Sequence, residues 1–236
     1  MKLRADLHIH TCLSPCADRD MSPPAVVRWG RKRGLHVIAV CDHNSAENVE
    51  AAIRAAEGAG LAVIGGMEIT SREEVHVLGL FKDDRALQSA QEVVYENLRG
   101  ENVPETFGEQ LVMNERGEVV RHNSRLLIGA TALSLEEVVQ TVHRLGGLAI
   151  AAHVDRPRFS LISQLGFVPA GLGLDGVEVC SDEPPAVPED LAVIRSSDAH
   201  RPEEIGCRYT RFLVERPTAS EIGMALHRMD GRRVLS

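Results

Sequence analysis

Asp6-Leu7-His8-Ile9-His10-Thr11 sets two histidines two residues apart within an apolar frame near the start of the chain. A strand repeats every two residues, so Asp6, His8 and His10 are expected on one face, with Leu7 and Ile9 on the other, in a core. Imidazoles on one face of a strand stand roughly 7 Å apart and can close on a single metal ion. The same spacing returns late in the chain, in Asp198-Ala199-His200, after the apolar Ala192-Val193-Ile194.

Outward from the first stretch, strand and helix patterns alternate. Residues 2–10 read as a strand, and Ser22-Pro23 as the N-cap and first position of a helix ending at Gly34. Residues 35–41 are a buried-strand run leading to Asp42-His43-Asn44. Asn44 and Glu47 have capping-box spacing for a second, alanine-rich helix. Residues 61–69 and 75–81 read as strands. Ser134 and Glu137 cap a helix running to Gly146-Gly147, and strands follow over 148–153, 176–180 and 191–196. The segment 208–214 and a short helix over 219–229 finish the chain. This alternation argues for an α/β fold of parallel βα units, numerous enough to favour a barrel or partial barrel. Residues 82–130 are polar and less periodic, and within them 110–120 looks like a hairpin turning at Glu115-Arg116-Gly117. The expectation is one domain over 1–236 with an insertion at 82–130 that covers the site.

Composition narrows the partners. Of 236 residues, 44% are hydrophobic and only 3% aromatic, and the formal net charge is −8. Few aromatics weigh against recognition by base stacking, and the negative balance weighs against long duplex nucleic acid or a membrane surface. A small anionic substrate remains compatible, because divalent cations reverse the local field. No apolar run approaches the ~20 residues that span a bilayer. The chain enters its first strand directly, and its five cysteines form no disulfide framework. A reduced, cytoplasmic location is therefore expected.

His8, His10, His43, Glu68, His76, His153, Asp198 and His200 all fall at or just after the C-terminal ends of the expected strands, the edge where βα barrels build sites. That is more than one ion needs and suits two or three metals sharing a carboxylate. Glu68 follows Gly65-Gly66-Met67, and a buried carboxylate needs a counter-charge, either a metal or Arg72. His36, His143 and His227 read as surface residues, and His122 stays ambiguous.

These motifs, Asp6-Leu-His8-Ile-His10-Thr11, Cys41-Asp42-His43-Asn44, Ala152-His153 and Ser197-Asp198-Ala199-His200, with Glu68 between them, resemble the polymerase and histidinol phosphatase (PHP) family of metal-dependent phosphoesterases. The resemblance implies a distorted (β/α)7 TIM-like barrel and a cluster of two to three divalent ions, zinc, manganese or iron. It would place one ion on His8, His10, Glu68 and Asp198, and a second on Glu68, His76 and His153. A third would take His43, His200 and one further residue. Many members carry Ser-Asp-Gly after the first motif, whereas Ser14 here is followed by Pro15-Cys16-Ala17-Asp18. Counting back from Ser22-Pro23 selects Asp18, with Asp20 as its rival. Cys16 is also a competent zinc ligand, but Cys12 and Cys16 read first as small packing residues of a tight loop.

The implied activity is hydrolysis of a small phosphomonoester, a nucleotide or nucleoside bisphosphate, by metal-activated water. Asp6 would orient His8 or a water, His153 or His200 would protonate the leaving alkoxide, and Arg156 and Arg201 would clamp phosphate. The alternatives are a 5′–3′ exonuclease on short oligonucleotides, a histidinol-phosphate-type phosphatase, or an amidohydrolase acting on C–N bonds. The common two-metal amidohydrolase uses a carboxylated lysine, and of Lys2, Lys32 and Lys82 only Lys82 follows a strand. A non-catalytic metal-bound module would be expected to have lost ligands, and none is clearly missing.

Overall fold

The His-x-His stretch forms β1 (Lys2–Ile9), third in a nine-stranded mixed sheet. The computed structural model describes residues 1–169, 171–183 and 185–235. After β1 come α1 (Pro23–Lys32), β2 (Val37–Val40), α2 (Val49–Ala55), β3 (Ala62–Thr70) and β4 (His76–Phe81). α3 (Asp84–Asn97), the single-turn α4 (Pro104–Phe107), and the hairpin β5 (Leu111–Met113) and β6 (Val119–His122) follow. α5 (Leu135–Arg144), β7 (Leu148–Ala151), α6 (Leu161–Leu165), β8 (Gly176–Glu178) and β9 (Ala192–Ile194) continue the chain. β10 (Thr210–Leu213), α7 (Ala219–Leu226) and β11 (Arg233–Leu235) complete it.

The strand order is β11-β10-β1-β2-β3-β4-β7-β8-β9. The far end of this sheet returns to β1: Ile9 bridges Ala199 beyond β9, and the His10 N–H donates to the Ala199 carbonyl at 3.0 Å. Thr210 Oγ1 both accepts from Arg195 N and donates to Arg195 O at 2.7 Å. The sheet is thus a nearly closed barrel. Leu3, Ala5, Leu7, Val37, Leu78 and Ile150 fill its interior, and α7 adds Ile222, Ala225 and Leu226. Ile38, Val40, Met67 and Ala149 face outward onto the helices.

Not every unit is a parallel βα unit. β4 runs antiparallel to both β3 and β7, and β10 runs antiparallel to β1. Five residues join β3 to β4, with Glu74 at φ 58°, too few for a crossover helix, so the pair closes as a hairpin. The pair also needs Gly66. A Cβ there would lie 2.7 Å from Cys41 Sγ and 2.9 Å from Leu80 Cδ2, closer than packed atoms allow.

The simple alternation of β1 fails at one place, with consequences for the site. Asp6 registers with Ile38, but Ile9 registers with Val40, so β1 carries one extra residue in a β-bulge. Leu7 therefore packs inside and Ile9 outside. Asp6 leaves the face of His8 and His10, which the uninterrupted repeat would have given it.

Asn44 does not cap α2. It sits at φ 47°, its amide donates to Leu127 O and Gly129 O at 2.8 Å, and Asn48 takes the cap position. The expected cap of α5 is present, with Ser134 and Glu137 forming a reciprocal capping box. Within 82–130, α3 packs on β3 and β4, while the hairpin docks on the loop after β1 through Leu111 N–H to Cys12 O at 3.0 Å. Leu13, Leu98, Val112 and Leu127 form a separate small cluster there. Among the described residues no helix is long and apolar enough to cross a membrane.

Candidate metal centre

The Glu68 carboxylate at the end of β3 is ringed by five histidines. Oε1 lies 2.8 Å from His76 Nδ1, 3.0 Å from His153 Nε2 and 3.4 Å from His8 Nε2, while Oε2 lies 3.0 Å from His43 Nδ1 and 3.3 Å from His10 Nε2. Arg72 plays no part, since it is exposed and pairs with Glu73. Asp198 stands opposite, its Oδ1 3.2 Å from His8 Nε2 and 3.1 Å from His10 Nε2. Two further features show how tightly the backbone is committed here. His153 holds φ 29° and Asp198 φ 50°, conformations that non-glycine residues seldom adopt and that concentrate at functional sites.

The imidazoles are locked from behind. His8 Nδ1 donates to Glu178 at 3.1 Å, and His10 Nδ1 donates to Ser14 Oγ at 2.9 Å, whose hydroxyl in turn donates to Asp42 Oδ1 at 2.7 Å. His200 Nδ1 donates to the Asp198 carbonyl at 2.9 Å. In each case the outer nitrogen carries the proton and the inner Nε2 is left as a lone pair. His8 Nε2 and His10 Nε2 are only 3.1 Å apart, a separation that two lone pairs tolerate when a cation lies between them.

Among the side chains of the cluster the histidines carry the compensating charge themselves: burial works to lower His8 and His43, but the anions beside them hold both well above the ordinary imidazole value, and a bound cation would take the place of those protons. Burial alone would raise Glu68, but the imidazoles around it, with His8 and His43 carrying charge, outweigh it and hold the carboxyl well below its ordinary range. Asp198 is likewise held low against burial, by His8 and His10. Burial pushes His76 down to about 4, past the attraction of Glu68, so its imidazole is neutral and ready to coordinate.

Three groups of donor atoms, each within 4.8 Å of one another, emerge: His8, His10 and Asp198; His43, Glu68 and His76; and His10, His43 and His200. Facing the cluster, the buried atoms His43 Nδ1, Glu68 Oε2 and Asp198 Oδ1 have no hydrogen-bond partner among the described residues. Stranded lone pairs at the bottom of a barrel would each cost on the order of 1–3 kcal/mol. Divalent cations satisfy them at once, and the nitrogen and oxygen donor set suits zinc, manganese and iron. The residues fit the ions that the motifs imply.

The cluster floors a cleft of about 390 Å³, whose walls carry Arg156, Arg158, Pro157, Phe159, Ile128 and Cys16. Arg156 pairs with Asp198. Phe159 is 41% exposed at φ 54° and stacks on His76 with centroids 5.0 Å apart.

Four sequence expectations end elsewhere. Asp18 is exposed, its Oδ1 accepting the Asp20 N–H at 3.0 Å, and neither carboxylate enters the cluster. Cys16, expected with Cys12 to be a packing residue, is exposed and lines the cleft that holds His43 and His200, though it joins none of the three donor groups. Burial works to raise its thiol, but His43 and hydrogen bonds to His200 and His43 bring it down to about 5. Cys12 is the packing residue, buried against Leu111 and Met113. Asp6 accepts from Ser197 N at 2.9 Å and Gly206 N at 2.8 Å and does not touch His8, because the bulge has turned it away. Glu178 does the orienting. It was not singled out from the sequence, although a lone acid in the buried run Gly176-Val177-Glu178-Val179 was its signal. Arg201 is exposed, its backbone N–H donating to Glu204 at 3.0 Å, and the cleft is lined by Arg156 and Arg158 instead. His122 is exposed on β6.

Burial raises Asp6 from the ordinary 3.8 to about 6, against the hydrogen bonds from Ser197 and Gly206. In chelated protein the unfolded chain ionises first as pH rises through this window, so the folded state loses stability upward from pH 3.8 to 6. Asp6→Asn cannot ionise. Its stability relative to wild type should improve by on the order of 3 kcal/mol between pH 4 and 7, on top of a constant loss from the altered hydrogen bonds. Urea unfolding at stepped pH measures this, and a gap that ignores pH contradicts it.

Comparison with known proteins places this geometry. Residues 6–164 match the PHP domain family and residues 189–229 the PHP-associated family. A 5′-3′ exoribonuclease from Haemophilus influenzae is 26% identical, with 65% of this chain and 69% of that protein covered. The fold is shared with the lesion-specific endonuclease Q from Pyrococcus furiosus, at TM-score 0.74 and 20% identity, covering 99% of this chain and 58% of that one. It is shared equally with endonuclease Q in complex with a 27-mer duplex that carries an abasic lesion at the active site, at TM-score 0.72 and 19% identity, covering 99% of this chain and 58% of that chain. The duplex is bound by that protein, of which this chain spans less than two thirds, and the expectation drawn from net charge against long duplex nucleic acid gains no support from it.

Proposed function

Since the chain belongs to the PHP family and is a metal-dependent hydrolase, we propose that it hydrolyses the phosphoester of a nucleotide or nucleoside bisphosphate. The observation that carries this reading is the cleft itself: a ring of lone pairs around Glu68 at the floor, two arginines on the wall and an exposed phenylalanine beside them. Divalent cations held there would neutralise phosphate oxygens and lower the pKa of a water toward neutrality.

The rest is work for the side chains. His8, His10, Glu68 and Asp198, with His43, His76, His153 and His200, would hold the ions. Glu178 and the Ser14–Asp42 pair fix which imidazole nitrogens face inward. Arg156 reaches the cleft from its pairing with Asp198, and its planar fork matches a phosphate edge. His200, its Nδ1–H bonded to the Asp198 carbonyl and its other nitrogen set toward the ions, and His153, buried at 2%, are both engaged in the cluster, which speaks against either as proton donor to a leaving alkoxide. Phe159 and Ile128 offer an apolar wall for a base.

A second reading is a 5′–3′ exonuclease on short oligonucleotides, favoured by the likeness to the Haemophilus influenzae exoribonuclease. The amidohydrolase reading weakens: Lys82 packs by Gly146, away from the cluster, so no carboxylated lysine can replace Glu68. Phosphate release and chain shortening should be compared on nucleoside 3′,5′-bisphosphates, nucleoside monophosphates, 5′-phosphorylated short RNA and histidinol phosphate. Preference for the free nucleotides supports the proposal, and nucleotide-by-nucleotide shortening of RNA with inert bisphosphates replaces it by the second reading. Arg156→Ala should raise KM for the preferred substrate by roughly tenfold to a hundredfold, the loss of one charged hydrogen-bond pair. An unchanged KM would remove Arg156 from the phosphate site.

A further inference from the structure

The cluster is not made of one kind of ligand. His10, His43 and His200 bring three imidazole nitrogens within 4.8 Å of one another at the side of the cleft that Cys16 lines. His43 is only 6% exposed, and its buried Nδ1 has no hydrogen-bond partner among the described residues. The loop that carries Cys16 is pinned to this spot. Asp18 N–H donates to the His200 carbonyl at 2.8 Å, Ala17 N–H to Ser14 O at 3.0 Å, and Cys12 N–H to Met21 O at 3.0 Å. From the other side Pro15 is so close to Gly108 that no Cβ fits between them, which stops the loop from shifting outward. The same anchoring keeps the carboxylates of Asp18 and Asp20 on the surface.

We propose that the Cys16 thiolate, turned inward from the cleft wall, joins His43 and His200 as the third protein ligand of a cation, in a site distinct in ligand type from the nitrogen and oxygen sites around Glu68, where His10 Nε2 is already engaged. Two imidazoles, a thiolate and one open position make a tetrahedral set that suits zinc, whereas carboxylate-rich neighbours also accept manganese or iron. The ligand is the thiolate, so binding should weaken as pH falls and the sulfur takes up its proton. The chain would then hold two classes of cation in one cleft, the softer one under the His200 rim. This inference rests on the metal-centre reading but not on the substrate assigned to it.

Cobalt(II) titration of the metal-free protein tests it without turnover. Wild type should develop a near-ultraviolet sulfur-to-cobalt charge-transfer band. Cys16→Ser should lose that band while keeping visible cobalt absorption from the remaining sites, and Cys12→Ser and Asp18→Asn should keep it. A band that survives Cys16→Ser, or no band in wild type with cobalt bound, overturns the proposal. Should Cys16→Ser fail to fold, iodoacetamide labelling of wild type decides: zinc should protect Cys16 by tenfold or more and leave the exposed Cys207 unprotected. Equal labelling of Cys16 with and without zinc overturns it too. A wild type that hydrolyses phosphoesters without the band refutes this site alone, and a band with inert phosphoesters refutes the substrate reading alone.

Discussion

Glu68→Gln is expected to lower hydrolysis by roughly a thousandfold or more and to release at least one bound cation per chain. Glutamine keeps the volume and shape of the side chain, so the packing against Cys41 and Leu80 around Gly66 is undisturbed. What changes is charge. The two oxygens of this carboxylate between them face His8, His10, His43, His76 and His153. Without it the metal groups built on Oε1 and Oε2 lose their shared anion, and an amide N–H2 points donors where a cation should sit. A structural ion pair alone would behave differently, costing stability and leaving metal content intact. Elemental analysis beside initial rates separates the two, and a variant within tenfold of wild type at full metal content contradicts the role given to Glu68.

Chelation should cost stability on a scale that surface sites never reach. A ligand at a thousand times its Kd stabilises the folded state by about 4 kcal/mol. For a chain of this length each kcal/mol is worth about 2–4 °C, so losing even one such site lowers Tm by roughly 8–16 °C. The structure makes this more than mass action. Removing cations leaves the His8 and His10 nitrogens 3.1 Å apart and strands His43 Nδ1, Glu68 Oε2 and Asp198 Oδ1. Calorimetry of protein as loaded, after EDTA and after resupply of zinc or manganese measures the effect. A shift below about 2 °C, or one that resupply does not reverse, contradicts a structural role for the cluster.

Much of this was legible in residues alone, for identifiable reasons. His8, His10, Asp198 and His200 announce themselves by a period of two at strand ends, and Glu68 by a charge inside an apolar run. The barrel followed from the alternation of strand and helix. The bulge did not, because it depends on the register of β1 against β2, and it carried Asp6 away from the histidines with which the plain repeat groups it. The places of Cys16 and Asp18 could not be read in advance, because tertiary hydrogen bonds to His200 and the approach of Gly108 to Pro15 set which side chain of the loop lines the cleft. Glu178 stayed hidden because a single acid in a short strand has no partner in sequence; its histidine lies 170 residues away. The direction of β4 was readable from its five-residue link to β3, and the uniform parallel expectation overrode that signal.

The central claim is that this barrel holds more than one divalent cation and uses them to hydrolyse phosphoesters. The most direct measurement is metal content per chain, by elemental mass spectrometry, on the same preparation assayed for phosphate release from nucleoside 3′,5′-bisphosphates. The account expects two to three metals and a rate that falls with them on chelation and returns on resupply. A protein that binds no metal after supplementation, or that releases phosphate undiminished without it, contradicts the account.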